Sequence, residues 1–288
     1  MPEVREDLLR EAREVHAIAA RHCIAPGRDD CGWYHASLPT LRLLGVFDSP
    51  GSDDDFLLPA FAAEIGRGAR RILVSGCADA AMLARVAACL PPGIAFEIVV
   101  LDRCGTPLEL CRDYADRHGL AIELVHSDIL DYRAAPFDLV CTHSFLSFFD
   151  GPARDELARV WWRLLRPGAC VVTAQRIRVG AAPGLIGYGE AEALALAEDA
   201  ARRADERVHE TRVSPEDARR LADAWTRNYF AHVIESEHAL RSPFTDAGFV
   251  LEQCAPGMAP GVDRPGTPRK GAGARWRIVA RKPALEAS

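Results

Sequence analysis

The sequence predicts an α/β fold whose sheet is mostly parallel and doubly wound, with helices on both faces. A first apolar run at residues 72–74 ends in a turn of small residues at 75–78, and an alanine- and leucine-rich helical stretch follows. A second apolar run at 98–101 then delivers a single carboxylate, Asp102. A strand, a tight turn, a helix and another strand in this order form a βαβ unit, the building block of a parallel sheet.

The alternation of strands and helices continues beyond Asp102. The further elements are, in order, a strand before the polar stretch 127–129, a buried strand starting at 137, a helix over 152–165, a break at 166–168 and a strand over 170–174. Each is an apolar run or a helical pattern that polar, glycine or proline residues interrupt. We therefore expect the core of the fold to occupy residues 69–180.

The segments outside this core are mainly helical in pattern. Residues 1–68 are expected to form an N-terminal helical cap, residues 181–235 a helical insertion or lid, and residues 236–288 the C-terminal part of the core. This last part would contribute closing antiparallel strands at 248–255 and 275–282, joined by the glycine- and proline-rich loop 256–273.

Two helices are expected in the insertion. Residues 190–207 form an alanine-rich helical pattern, and Ser214 begins a capping box with Pro215 at the first helical position. The second helix would reach about His232. On such a helix Tyr229 and His232 lie three residues apart and share one face.

Composition and charge limit the class of partner. The net charge of −6 and the lack of a dense basic run disfavour nucleic acid. No apolar run approaches the roughly 20 residues that span a bilayer, and the charged N-terminus has no signal-peptide core. The nine cysteines show no C-x-x-C spacing, so we expect reduced thiols, a cytoplasmic location and no metal site. A homodimer is compatible with these features.

The turn after the first strand is a poor dinucleotide fingerprint. Of the three glycines in G-x-G-x-x-G only Gly76 is present, and Ala78 and Ala81 replace the others. Gly76 also lies 26 residues before Asp102, which is longer than the spacing of about 20 in nicotinamide-binding units. The turn therefore favours an adenosine ligand without a pyrophosphate.

Taken together, four features make the sequence resemble the class I S-adenosylmethionine-dependent methyltransferases. They are the glycine turn at 74–80, Asp102 ending the second strand, the stretch 127–129 after the third, and the helix-to-strand run at 164–169. The resemblance covers residues 70–176. It implies a Rossmann-like seven-stranded sheet with the last strand antiparallel, and S-adenosylmethionine as the cofactor.

The resemblance also implies the cofactor contacts. The methionine and ribose side of the cofactor would be lined by Gly76, Cys77 and Ala78. Asp102 would accept hydrogen bonds from the ribose hydroxyls. The remaining contacts would come from Arg103 beside adenine, Asp128 at the adenine amino group, the Ile129 amide, and His143 near the sulfonium. The family usually has an acid where Val74 stands and glycines where Ala78 and Ala80 stand. We expect Asp79 to replace the missing acid, or cofactor affinity to be weaker.

Catalytic and acceptor-binding residues are expected among the polar groups at the C-terminal ends of the strands. His143 follows a strand into the site turn and would either remove a proton from the acceptor or only line the cofactor. Trp33, Tyr34 and His35, in a polar loop, would enclose the acceptor or pack the cap onto the core. The other acceptor-binding candidates are Arg176, which could pair with a carboxylate, and Tyr229, whereas Arg178 is expected at the surface.

Three functions fit these patterns. The first is methylation of an oxygen, nitrogen or carbon atom of a small metabolite. The second is binding of S-adenosylmethionine without methyl transfer, which the substitutions in the turn suggest, and the third is an NAD(P)-dependent oxidoreductase. Because ligands of open α/β sheets bind at the C-terminal strand ends, the cap and insertion would close over that rim. The alternative is that both segments only extend the core or form a dimer contact.

Overall fold

A seven-stranded sheet forms the centre of the computed structural model, which describes residues 2–23, 31–48, 50–257 and 273–284. Its strand order is β3-β2-β1-β4-β5-β9-β8, and β9 alone runs antiparallel to its neighbours. The strands are β1 (Arg71–Ser75), β2 (Glu97–Asp102), β3 (Ile122–His126), β4 (Phe137–His143), β5 (Leu165–Arg178), β8 (Val250–Pro256) and β9 (Gly273–Arg281). The predicted Rossmann-like fold class is confirmed.

Apolar side chains alternate between the two faces of this sheet, because successive residues of a strand point to opposite sides. Val74 and Val100 pack on one face against α3 (Asp54–Gly66), α4 (Ala81–Ala88) and α5 (Gly105–His118). Leu73 and Val99 pack on the other face against α6 (Gly151–Leu164) and α9 (Glu237–Asp246). Helices cover both faces, so the strands leave only their ends free for a ligand.

The remaining helices precede β1 or follow β5, and all but the first of them share a further hydrophobic cluster. They are α1 (Pro2–His22), α2 (Gly32–Leu43), α7 (Glu190–Thr211) and α8 (Pro215–Asn228). Leu38 and Leu41 of α2 pack against Ala218 and Trp225 of α8, and α7 lies against α8. Ser214 caps α8, since its Oγ accepts a hydrogen bond from the amide of Asp217 at 3.0 Å.

Two details of the helical segments differ from the sequence-based prediction. Trp33, Tyr34 and His35 lie in α2 and not in a loop. Helix α8 ends at Asn228, so Tyr229 and His232 do not share a helix face. His232 belongs to β7 (Ala231–His232), which pairs with β6 (Leu185–Ile186). This tertiary pairing satisfies backbone groups that a longer helix would have bonded internally.

Two further expectations concern the C-terminal half. Arg178 is only 7% exposed, so the prediction of a surface position is wrong. The two closing strands form at β8 and β9, but residues 258–272 of the glycine- and proline-rich loop lie outside the described residues. No helix in the described ranges is both long and apolar enough to cross a bilayer.

Candidate active site

A cavity of about 700 Å³ lies at the C-terminal ends of the parallel strands, with α2 and α8 on its far side. Its volume falls within the range of about 300–1,000 Å³ found for small-molecule sites. Every site residue predicted from the sequence lines it: Trp33, Tyr34, His35, Gly76, Cys77, Ala78, Asp79, Asp102, Arg103, Asp128, Ile129, His143, Arg176 and Tyr229. Their individual roles stay predictions.

Gly76 forms the tight turn after β1, and no larger residue fits there. Its φ is +71°, a left-handed conformation that side chains rarely adopt, and its amide donates to the carbonyl of Leu101 at 2.9 Å. A Cβ at this position would lie 2.4 Å from the ring of Phe145. The turn therefore brings its backbone directly against the cavity, beside the end of β2.

Asp102 is the acid at the end of β2, and backbone amides fix its position. Its Oδ2 accepts a hydrogen bond from the amide of Cys77 at 3.0 Å, and its Oδ1 accepts one from the amide of Cys104 at 2.8 Å. Burial raises the pKa of Asp102 to about 6, although these amides and the nearby His35 lower it. The carboxylate is thus ionised at neutral pH, and each oxygen keeps a lone pair for a ligand.

Asp128 supplies a second carboxylate beside Asp102. The amide of Ser127 donates to the carbonyl of Asp102 at 3.1 Å, which places the loop after β3 next to β2. Asp128 is exposed, and its Oδ1 accepts from the amide of Leu130 at 2.9 Å. Ile129 is buried beneath it. We call the groups contributed by Gly76, Asp102 and Asp128 the acidic edge.

Asp79 lies in the same turn as Gly76 and forms a buried ion pair with Arg42 of α2. Its Oδ1 also accepts from the amide of Ala81 at 3.0 Å. Glu11 of α1 accepts from the amide of Ala80 at 3.3 Å, and burial together with the charge of Asp79 raises the Glu11 pKa well above its usual value. Arg42 thus neutralises Asp79, while its own Nε has no hydrogen-bond partner among the described residues.

His143, the last residue of β4, contacts a pair of charged side chains. Its Nε2 lies 3.1 Å from Oδ2 of Asp53 and 2.8 Å from Nη1 of Arg275, which itself donates to Asp53 at 2.8 Å. Burial lowers the pKa of His143 to about 4; Asp53 opposes this shift and Arg275 reinforces it. The imidazole is therefore neutral at physiological pH and a weak base.

The turn that follows His143 carries backbone strain. Ser144 has a φ of +54°, which is unusual for a residue other than glycine. Its amide donates to the carbonyl of Ala174 at 2.8 Å, and the amide of Leu146 donates to Oε1 of Gln175 at 3.0 Å. These bonds to β5 hold the strained turn, and strain of this kind is common at functional sites.

Aromatic side chains from both helical segments line the part of the cavity opposite the strands. Trp225 of α8 stacks on Tyr34 of α2 with ring centroids 5.2 Å apart, and on Tyr229 at 5.6 Å. Trp33 and Phe47 meet the same indole at 5.3 Å and 4.7 Å. We call these five residues the aromatic wall. Burial raises the pKa of both Tyr34 and Tyr229, so their hydroxyls stay protonated.

Arginine side chains lie between His143 and the aromatic wall. Arg176, Arg178 and Arg275 all line the cavity. Burial lowers the pKa of Arg176, and the charges of Arg275 and Arg178 lower it further. Arg275 pairs with Asp53, but Arg176 forms no ion pair with any carboxylate of the described residues. This end of the cavity is therefore suited to an anionic group.

His35 lines the cavity, but its imidazole contacts the sulfur atom of a cysteine. Its Nδ1 is 3.3 Å from Sγ of Cys23, and it is only 5% exposed. Burial acts to lower the pKa of His35, but the neighbouring Cys104 and Cys31 raise it overall to about 9.

Several lining residues were missed from the sequence. They are Arg42, Phe145, Trp225 and Arg275, and Asp53 contacts His143 and Arg275 from behind them. One signal was available: Arg275 and Arg277 stand two apart in an apolar strand pattern, which places both on one face of the sheet. No local pattern pairs Arg275 with Asp53 or Trp225 with Tyr34, because these partners are far apart in the chain.

Residues 72–168 match the family model described as a methyltransferase domain. No curated protein sequence matches the chain.

Solved structures of similar fold exist. The S-adenosylmethionine-dependent methyltransferase SibL in its apo form is 17% identical, with a TM-score of 0.50, and the match covers 93% of this chain and 62% of SibL. The chain thus spans less than two thirds of the length of SibL. The 1,6-didemethyltoxoflavin-N1-methyltransferase of Burkholderia thailandensis, solved with 1,6-didemethyltoxoflavin and S-adenosylhomocysteine, is 15% identical with a TM-score of 0.48, covering 79% of this chain and 78% of that one.

At these identities the similarity to SibL establishes the fold, and the family model identifies the domain. Residues 72–168 therefore form a methyltransferase domain, in a chain that has the fold of the S-adenosylmethionine-dependent methyltransferase SibL.

Proposed function

We propose that this protein transfers a methyl group from S-adenosylmethionine to a flat, negatively charged small molecule. The observation that carries the proposal is the composition of one cavity, which joins the acidic edge to the aromatic wall and to Arg176, an arginine that pairs with no carboxylate in the described part of the chain. A methyltransferase domain alone does not determine the acceptor, since one fold hosts many chemistries.

The acidic edge fits the adenosyl part of the cofactor. Asp102 offers two fixed carboxylate oxygens to a pair of ribose hydroxyls, and Asp128 with the Ile129 amide offers an acceptor and a donor to adenine. The Gly76 turn brings its backbone near the methionine part, and the unpartnered Nε of Arg42 keeps donor capacity close to it. The bound cofactor would supply an electrophilic methyl group on its sulfonium.

The opposite side of the cavity fits the acceptor. The stacked rings of the aromatic wall favour a flat apolar body, since aromatic pairs prefer stacked or edge-to-face contacts. Arg176 can offer a carboxylate or a similar anion two parallel hydrogen bonds. An acceptor that uses both features is an aromatic or otherwise planar acid. We therefore assign Trp33, Tyr34, Tyr229 and Arg176 to acceptor binding.

Methyl transfer is a direct displacement, so the protein contributes mainly by holding the two reactants in line. His143 would be a weak base in this site, because its pKa is about 4. It would serve better to position the turn after β4, through Asp53 and Arg275. We propose that the acceptor atom already carries a free lone pair at neutral pH and needs no strong base.

Helices α2 and α8 would cover the transfer site. Both contribute residues to the cavity and pack on each other through Trp225 and Leu38. Such a cover would exclude water and align the acceptor with the methyl group. The cap and the insertion are in this proposal a substrate-binding lid. A chain lacking residues 1–40 that still turned over its acceptor at the normal rate would contradict this role.

The test is a matched panel of acceptors. Purified protein is incubated with S-adenosylmethionine and planar acids, each paired with its neutral amide, and S-adenosylhomocysteine and methylated product are measured by mass spectrometry. We expect turnover of at least one acid and much slower turnover of its amide. Preference for the amides would contradict the anionic acceptor. Calorimetric binding of S-adenosylmethionine with no product from any member would favour the non-methylating alternative.

A further inference from the structure

Three thiols and one imidazole converge at one corner of the cavity, where no step of methyl transfer needs them. Cys23 follows α1, Cys31 and His35 lie at the start of α2, and Cys104 lies in the turn after β2. Sγ of Cys104 is 3.6 Å from the Sγ of Cys23 and 3.6 Å from that of Cys31. All four potential ligand atoms lie within 4.8 Å of one another.

These distances match those around a tetrahedral zinc ion. Zinc binds thiolate sulfur at about 2.3 Å and imidazole nitrogen at about 2.0–2.1 Å, so two ligand atoms of one tetrahedron stand about 3.6–3.8 Å apart. The sulfur atoms at 3.6 Å, and the Nδ1 of His35 at 3.3 Å from Cys23, are close to this spacing.

The set of donors also selects the metal. Three cysteines and one histidine are a typical structural zinc set, and soft thiolates disfavour magnesium and calcium. Four protein ligands leave no open coordination position, which separates a structural ion from a catalytic one. We propose that these four side chains bind one zinc ion, which fastens the first two helices to the turn after β2.

Neighbouring groups are placed to support thiolate ligands. Cys104 is the N-cap of α5, where the helix dipole favours negative charge, and its Sγ accepts from the amide of Thr106 at 3.4 Å. The hydroxyl of Thr106 lies 2.9 Å from Sγ of Cys23. Such outer contacts orient ligands and stabilise their charged form.

The zinc site departs from the sequence-based expectation of no metal. The spacing C-x₇-C-x₃-H at residues 23–35 gathers three ligands within one short segment, but the fourth, Cys104, comes from the core. Only the packing of α1 and α2 beside β2 completes the set. His35 is then assigned to the metal and not to the acceptor.

A zinc ion here would affect cofactor binding indirectly. Cys104 stands two residues after Asp102, whose carboxylate accepts from the Cys104 amide. Loss of the ion should therefore loosen both the helices and this part of the acidic edge. The presence of the ion is independent of the proposed methyl transfer, because it is measured without any acceptor.

The test is a metal titration of the full-length protein. Reduced, chelator-treated protein is titrated with zinc in competition with a chromophoric chelator, and with cobalt to record the spectrum. We expect one zinc ion per chain, cobalt bands of tetrahedral geometry with thiolate charge transfer, and protection of three thiols from alkylation. Cys31→Ser, chosen because Cys31 is only partly buried, should weaken zinc binding more than about 100-fold, since even an outer partner is worth about 10- to 100-fold.

Cys254→Ser is the matched control, because Cys254 is also partly buried but lies in β8 away from the cluster. It should bind zinc as tightly as the wild type. His35→Asn gives a second loss variant if Cys31→Ser folds poorly. Equal zinc affinity in Cys31→Ser and Cys254→Ser would overturn the proposal. So would the absence of zinc binding by the reduced wild type.

Discussion

The two sides of the cavity are held in place by different forces. The acidic edge belongs to the C-terminal end of β2 and to the turns after β1 and β3, and backbone hydrogen bonds join these segments, such as that from the Gly76 amide to the carbonyl of Leu101. The aromatic wall comes from segments before and after the core, and contacts between rings join Tyr34 to Trp225. Strand register therefore determines the first side, whereas side-chain packing determines the second. The acidic edge should tolerate less change in its backbone than the aromatic wall.

The strongest test of this difference is Gly76→Ala. A methyl group at Gly76 combines a left-handed φ with a clash against Phe145, so we expect the free energy of unfolding to fall by about 3 kcal/mol. Gly119→Ala is the control, because Gly119 has a φ of +64° but no atom near its Cβ position, and it should cost about 1 kcal/mol. Chemical denaturation measures both. Equal losses would show that the turn is not specially constrained.

Asp102→Asn tests the chemistry of the acidic edge. The amide keeps the shape of the side chain but removes the charge and one acceptor, so S-adenosylhomocysteine should bind about 100-fold more weakly. Isothermal titration calorimetry measures the affinity. Asp131→Asn, at an exposed carboxylate nearby, should leave it unchanged. Affinity of Asp102→Asn within threefold of the wild type would remove Asp102 from the cofactor site.

Arg176→Gln tests the acceptor side alone. Loss of a charge-assisted hydrogen-bond pair should lower kcat/KM for an anionic acceptor about 20-fold, mainly through KM, while S-adenosylhomocysteine affinity stays the same. Arg219→Gln changes an exposed arginine of α8 and serves as the control. A loss of cofactor affinity in Arg176→Gln would mean that the two sides are not separate.

The pH dependence of cofactor binding follows from Asp102. Its pKa is raised to about 6, so the carboxylate gains a proton as the pH falls through 6 and stops accepting from both ribose hydroxyls. Binding of S-adenosylhomocysteine should then be about tenfold weaker at pH 5 than at pH 8. The profile of Asp102→Asn should be flat over this range. A wild-type profile equally flat would contradict the assigned role.

His143→Gln should have the smallest effect. A strong general base contributes about 10²- to 10⁴-fold to a rate, but a histidine with a pKa of about 4 would not. We expect kcat to fall less than tenfold, with no change in the shape of the pH–rate profile between pH 6 and 8. A loss of more than 100-fold together with a lost basic limb would make His143 the base.

Most of the fold follows from the sequence because its signals are local. The apolar runs, the Gly76 turn and the Ser214 cap each act within a few residues and were predicted at nearly their observed positions. The end of α8 was not predicted correctly, because the pairing of β7 with β6 determines where this helix stops. Tertiary contacts of this kind override helical periodicity.

The candidate site divides in the same way. Asp102 and Asp128 could be recognised because each ends or follows a strand, and the carboxyl ends of parallel strands meet at one edge. Asp53 and Arg275 could not be paired, because they come from opposite ends of the chain. The buried position of Arg178 was also missed, since a charged residue just past an apolar strand is usually solvated.

Trp225 contacts aromatic rings from both helical segments, and this affects how the pocket evolves. Its single side chain determines the positions of four other rings at the same time, those of Tyr34, Tyr229, Trp33 and Phe47. A smaller residue there would enlarge the pocket from several directions in a single mutational step. The turns of the acidic edge would be left as they are, so under the proposed function descendants of this gene would accept bulkier acceptors without any change in the proposed cofactor contacts.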